Sequence, residues 1–361
     1  MAGRFAPRRP TRTTVRGGHS AVPAPRSGAP DAVATAATGS RAAATNGTAG
    51  VGASGPRRAP ARTRIWAPSW PLDLGLVMGP LRRGGGDPTF RVTPDGAVWR
   101  ASLTPEGPGT LRVAPRGDRV QGSAWGPGAN WLLETLPTLL GALDDPSAFA
   151  PRHRLVALAR HRRPGLRLTR TGLVLESLIP SVLEQKVTTQ EAYRAWRLLV
   201  RRYGEPAPGP APDRLHVMPA PRTWALVPSW EWHRAGVDHK RSSTILRAVR
   251  VARRLEEAVD LAPAAARARL ELIPGIGPWT SAETVQRTHG APDEVTVGDL
   301  HLPGIVGYAL TGERDADDAR MLELLEPYAG QRHRAARLIL LSGRTPARRT
   351  PKMPRTDIGQ L

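Results

Sequence analysis

Residues 272–288 read LIPGIGPWTSAETVQRT, and VGDLHL follows at 297–302, so Asp299 stands 22 positions after Gly277. The first stretch reads as two helices joined by a four-residue hairpin, Pro274, Gly275, Ile276 and Gly277. Two glycines let the backbone turn sharply and approach a ligand with no Cβ between them. Pro278 suits the first position of the second helix, where its missing N–H costs nothing. The free N–H groups of that helix start would suit a phosphate oxygen. An ordinary connection between antiparallel helices would use the same residues, so the hairpin alone does not decide. Asp299, ahead of Leu300, Leu302, Ile305 and Val306, suits a helix N-cap. It could also be a catalytic carboxylate, and the two roles are compatible.

The chain of 361 residues has room for two compact domains, and at 40% hydrophobic residues it can bury a core. It has no cysteine, which excludes disulfides, thiolate catalysis and Cys-ligated zinc or iron–sulfur sites. No apolar run reaches membrane-spanning length, and no signal-peptide core follows the Arg-rich start, so a cytoplasmic, membrane-free protein is expected. The net charge of +21 divides between a tail and a body. Residues 1–64 carry eleven Arg and one Asp, about +10, which leaves about +11 for the remainder. Basic character on the folded part favours a polyanionic partner.

Residues 1–62 are mostly Ala, Gly, Pro, Thr, Ser and Arg and are expected to be a disordered basic tail. Residues 344–361 read as a second loose tail. Within 65–145, short alternating runs (Phe90, Val92; Val98, Arg100; Leu111, Val113) separated by Pro-Asp-Gly and Pro-Gly turns predict strands. A helix over 130–143, bent at Pro137, completes a small α+β domain. From 150 to 343 the periodicity is helical, and this part is expected to be all-α. Thr188 and Glu191 have capping-box spacing, and Ala192, Ala195, Trp196, Leu199, Val200 and Tyr203 form one stripe. Gly204 stands where a C-terminal cap should, ahead of a Pro-rich loop over 205–222. A helix is expected through 240–259, and two more near 316–326 and 331–342.

Leu-x-Pro-Gly-Ile-Gly, a helix, and a Gly-Asp about twenty residues on together resemble the helix-hairpin-helix "GPD" superfamily of DNA glycosylases. Within it the chain resembles the bacterial 3-methyladenine DNA glycosylase II (AlkA-like) family. The stretches LESLIPSVLEQKVTTQEAYRAWRLLVRRYGEP and AGVDHKRSSTILRAVRVA share that resemblance, which spans roughly 65–343. It implies a mainly α protein, with an all-α glycosylase domain behind a small α+β domain. It also implies that Asp299 is the catalytic carboxylate and that the hairpin Pro274–Gly277 holds the DNA backbone. A monovalent cation bridged by the carbonyls of Glu271, Ile273 and Gly275 would assist, and no other cofactor is required. Trp279 occupies the position of the Schiff-base lysine of bifunctional relatives and would line the base pocket of a monofunctional enzyme. Two positions depart from the family pattern. The apolar wedge after Gln185 is Lys186, and an aromatic pocket position is Glu283.

The implied activity is base-excision repair. A monomer would flip damaged bases of the 3-methyladenine and 7-methylguanine type out of double-stranded DNA and hydrolyse their N-glycosidic bonds. Such cationic bases leave readily, so one carboxylate beside the sugar suffices to stabilise the oxocarbenium-like transition state. An aromatic face would favour the cationic base, and Glu283 could supply an acid for neutral ones. The alternatives are a non-enzymatic DNA-binding protein, for which Asp299 would be dispensable, and a glycosylase for other damaged or mismatched bases. His301 is expected to pack near the site and not to bind metal.

Overall fold

The computed structural model describes residues 61–212 and 214–347. The expected basic tail therefore lies outside the described residues up to position 60, as does the C-terminal tail beyond 347. Arg62, assigned to the tail by composition, instead opens a strand.

Five strands form one antiparallel sheet: β1 (Arg62–Trp66), β2 (Phe90–Val92), β3 (Val98–Thr104), β4 (Gly107–Arg116) and β5 (Arg119–Trp125), in the order β1-β5-β4-β3-β2. The predicted Pro-Asp-Gly turn falls between β2 and β3, and Val98 lies opposite Val113 and Arg100 opposite Leu111. The predicted Pro-Gly turn does not form: Pro108 and Gly109 lie inside β4, opposite Leu103 and Ser102, and the chain reverses at Pro105 and Glu106 instead. The alternation is imperfect, because Phe90 is buried while Val92 faces solvent. Strands β1 and β5 were not predicted. In β5, Gly122 lies under Leu136, whose Cδ2 would come within 2.7 Å of an added Cβ. The position that would have extended the apolar pattern must be bare for a helix to sit on it. That helical layer is Ala129–Glu134 and Leu136–Leu139, split at Thr135 two residues before the bend expected at Pro137. Leu132, Leu133 and Leu136 pack there on Leu111, Val113 and Ala124.

Beyond this layer the chain is helical, as the periodicity predicts. Thr189–Tyr203 begins with the expected capping box, Thr188 Oγ1 accepting from the Glu191 N–H and the Glu191 carboxylate accepting from the Thr188 N–H. Its stripe Ala195, Trp196, Leu199 and Val200 enters a core with Ile179, Trp224, Ile245, Leu270 and Val285. Gly204 does end this helix, but in extended conformation (φ −77°, ψ 168°) and not as a left-handed cap. A Cβ there would lie 2.3 Å from Val217 O, so tight packing explains the glycine. The Pro-rich segment that follows holds a two-stranded ladder, Glu205–Pro206 with His216–Val217, which corrects the all-α expectation. The single helix expected through 240–259 is two, His239–Arg250 and Ala252–Glu256, broken at Val251 (φ −114°, ψ 25°).

The sheet portion and the helical portion belong to one compact unit. Buried ion pairs join them: Arg100 of β3 with Glu176, Arg83 with Glu184 (2.8 Å), and Asp144 with Arg334. Each partner alone would be a charge stranded in low dielectric, so the portions are held in one relation by mutual need.

Candidate active site

The hairpin helices are Pro263–Glu271 and Pro278–Thr288, with residues 272–277 between them. The two glycines have different jobs. Gly275 has φ +101°, and a Cβ on it would fall 2.0 Å from Thr244 Oγ1, so the turn itself demands glycine. Gly277 has an ordinary φ of −111° and no atom within 4 Å of where a Cβ would stand. Nothing inside the protein requires glycine there, and the space beside it is open. Ser281 is the first residue of the second helix whose N–H reaches a carbonyl, that of Gly277 (3.0 Å). The amides before it form the unsatisfied helix start expected from Pro278. Pro274 O accepts from Arg247 Nη1 (3.1 Å), which anchors the hairpin to the helix His239–Arg250.

The turn carrying Gln185 and Lys186 closes on this hairpin. Gln185 Nε2 donates to Gly275 O (3.0 Å) and to Thr280 Oγ1 (2.8 Å). Lys186 is exposed and left-handed, with φ +54°, an uncommon and strained conformation for a lysine. The Gln185 grip on the hairpin and the Glu184 pair with Arg83 hold the turn immediately before it. Ile273 O and Gly275 O each accept one hydrogen bond within the protein, from Ile276 N–H and Gln185. Each carbonyl keeps a second lone pair; with Glu271 O they are the three expected to bridge a monovalent cation.

Asp299 precedes the helix Leu302–Leu310, and its Oδ1 accepts from the N–H groups of His301 and Leu302, both at 2.8 Å. The N-cap position itself is His301, so Asp299 stands two residues before the place expected of it and serves the helix start from there, through the Leu302 N–H. Its Oδ2 accepts from the Trp279 indole N–H at 3.0 Å. Three N–H groups thus fix a half-buried carboxylate at a cavity of about 380 Å³, a size suited to a small ligand. Glu283 and His301 line the same cavity; Trp279 does not. The expected pocket-lining indole instead holds the carboxylate, because its N–H needs an acceptor and Asp299 lies within reach. The exposed Leu300 (82%) adjoins Asp299, and Leu272 (79%) opens the hairpin turn.

Sequence reasoning missed Arg287, Arg337 and His333, which also line the cavity. Arg287 was discoverable, since Trp279, Glu283 and Arg287 recur at helical spacing along one face. The others come from a distant helix, Arg332–Ser342, and no local pattern announces them. Burial and the guanidinium groups of Arg337, Arg287 and Arg334 hold the His333 imidazole well below its ordinary range. Burial, with Arg287 and Arg334 nearby, pushes Arg337 down to about 10.

No family model matches the chain. It is 28% identical over 219 residues to a probable bifunctional transcriptional activator/DNA repair enzyme AlkA of Mycobacterium tuberculosis, covering 58% of this chain and 43% of that protein. The chain therefore spans less than half the length of that relative. A 3-methyladenine DNA glycosylase from Archaeoglobus fulgidus superposes with a TM-score of 0.63 at 16% identity, over 78% of this chain and 98% of that one. The Clostridium acetobutylicum 8-oxoguanine glycosylase/lyase, bound to double-stranded DNA, gives 0.60 at 11% identity, over 76% and 92%. The fold is that of the DNA glycosylases. In sequence the chain resembles the AlkA-like group of helix-hairpin-helix glycosylases. Among the described residues no helix is long and apolar enough to cross a membrane, and no three His, Asp or Glu side chains group as a metal site.

Proposed function

We propose that the protein is a monofunctional DNA glycosylase that, as a monomer, releases alkylated bases of the 3-methyladenine and 7-methylguanine type from double-stranded DNA. The observation that carries this reading is Asp299, gripped by three N–H groups beside a base-sized cavity and tied through Trp279 to the hairpin. A carboxylate held that firmly offers a fixed negative charge to an oxocarbenium-like sugar without reorganising during the reaction. The open space at Gly277 and the helix start behind it would take a backbone phosphate, and the carbonyls of Glu271, Ile273 and Gly275 would hold a cation supplying positive charge there. Lys186 would enter the duplex and occupy the gap left by the flipped nucleotide.

The test is to incubate the protein with methylated duplex DNA and identify the free bases by chromatography. Release of 3-methyladenine and 7-methylguanine by wild type, and not by Asp299→Asn, is expected. Binding of DNA without any released base would leave a non-enzymatic binding protein. Monofunctional chemistry is supported by Trp279, which has no amine to attack C1′. Borohydride added during turnover should trap no covalent protein–DNA adduct. A trapped adduct that disappears in Lys186→Ala would make the protein a lyase through that lysine.

A further inference from the structure

Trp279, Glu283 and Arg287 follow one another at one-turn intervals on the helix Pro278–Thr288. Trp279 is bonded to Asp299, and Glu283 lies about 6 Å further along the helix and Arg287 about 12 Å. Asp299, Glu283 and Arg287 line one cavity, so a nucleotide whose C1′ faces Asp299 and whose base enters that cavity would meet this pair. Glu283 Oε2 accepts from Arg287 Nη1 (2.7 Å), Nη1 also donates to Glu283 O (2.7 Å), and Arg287 Nε donates to Pro80 O (3.1 Å). The pair is thus fixed at both ends by its own helix and by a backbone carbonyl. Two atoms remain unspent among the described residues, the acceptor Glu283 Oε1 and the donor Arg287 Nη2, and neither is sealed off in the interior. Both residues line the cavity that Asp299 faces.

We propose that Glu283 Oε1 and Arg287 Nη2 read the Watson–Crick edge of the flipped base, one accepting from a base N–H and the other donating to the neighbouring ring nitrogen or carbonyl. Every unmodified edge offers such an adjacent donor and acceptor: N6–H and N1 of adenine, N1–H and O6 of guanine. The substrate class that follows is bases damaged away from that edge, at N3 or N7 of a purine. Bases whose edge is blocked, such as 1,N6-ethenoadenine, lose the N–H and leave the carboxylate facing a lone pair or a carbon. A site built around such a hydrogen bond rejects the analogue lacking it far more strongly than an apolar pocket rejects a change of shape. The inference rests on the glycosylase reading and narrows it.

The test compares single-turnover excision of 7-methylguanine and 1,N6-ethenoadenine from otherwise identical duplexes. Wild type should favour 7-methylguanine by at least about 100-fold relative to the ratio of their spontaneous release. Glu283→Gln keeps the shape and should reduce that ratio at least tenfold. Glu283→Ala with Arg287→Ala removes both atoms, leaves no unpaired charge and should accept both bases alike. Thermal melting establishes that each variant is folded; if Glu283→Gln is not, the double variant decides. Wild-type release of both bases with an unchanged ratio in the folded variants overturns the edge reading and leaves the glycosylase reading intact. Release of no base by wild type overturns both.

Discussion

The Trp279 indole donates to Asp299 Oδ2 at 3.0 Å, joining the start of the hairpin's second helix to the carboxylate twenty positions later. One hydrogen bond thereby relates the segment that would hold the DNA backbone to the group that would act on the sugar. Trp279→Phe keeps the ring and deletes the donor. DNA affinity should stay within a few-fold, while single-turnover excision should fall about tenfold because Asp299 keeps its two backbone donors but loses its third fix. An equal loss of binding and rate would assign the indole to DNA contact instead.

Asp299→Asn removes the negative charge and keeps the size. Excision should fall at least about 100-fold, the scale for losing a preorganised electrostatic stabiliser, with DNA affinity unchanged or higher. Near-normal base release by the folded variant would end the assignment.

The two hairpin glycines should separate cleanly. Gly275→Ala drives a methyl into Thr244 and forces alanine to a φ near +101°, so it should lower the melting temperature markedly. Gly277→Val meets open space, so its melting temperature should stay close to wild type. DNA affinity should nevertheless drop for every sequence alike, with steep salt dependence in the wild type. Wild-type DNA binding by Gly277→Val would reduce the hairpin to a turn.

Lys186 holds a left-handed backbone that glycine adopts freely. Relief of roughly 1–2 kcal/mol of strain, offset by glycine's greater entropy cost of about 0.5–1 kcal/mol, should make Lys186→Gly slightly more stable. The same variant should excise more slowly from duplex DNA, since nothing would then fill the gap behind a flipped base. A variant both less stable and fully active would contradict each half.

His333 gives a pH signature. Its folded-state pKa lies below its ordinary value of 6.5, so the unfolded chain binds the proton more readily. Stability from this group is complete above pH 6.5 and is lost as pH falls below it, at up to about 1.4 kcal/mol per pH unit. His289, also lowered by burial, adds to the slope. Melting between pH 7.5 and 5.5 should show the decline, and His333→Gln should flatten it without removing the His289 part.

What could be read from the residues was local. The capping box at Thr188, the stripe through Trp196 and the glycine hairpin depend on neighbours within a turn, and they stand where expected. Strand β5 escaped because Gly122 serves a helix packed on the sheet and not the strand's own alternation. The break at Val251 escaped because an unbroken apolar period continues through it. The cavity is least local of all. Pro80 meets Arg287 across 207 positions, and His333 and Arg337 arrive on the last described helix. A motif can name the carboxylate, but the walls around it are a property of the tertiary structure.

The Arg100–Glu176 pair has a meaning for how the molecule is made. Its two halves lie 76 positions apart, so β3 leaves the ribosome well before the helix that carries Glu176. During that interval Arg100, 4% exposed in the finished protein, has no carboxylate to neutralise it. The sheet portion cannot close in its final form around an unpaired guanidinium. Its completion must wait for the helix Val174–Leu183, so the last step of sheet assembly and the first of the helical core are one event in synthesis. A ribosome paused with β5 already outside it and Glu176 still inside would therefore carry a nascent chain more open to proteases than its sheet content suggests.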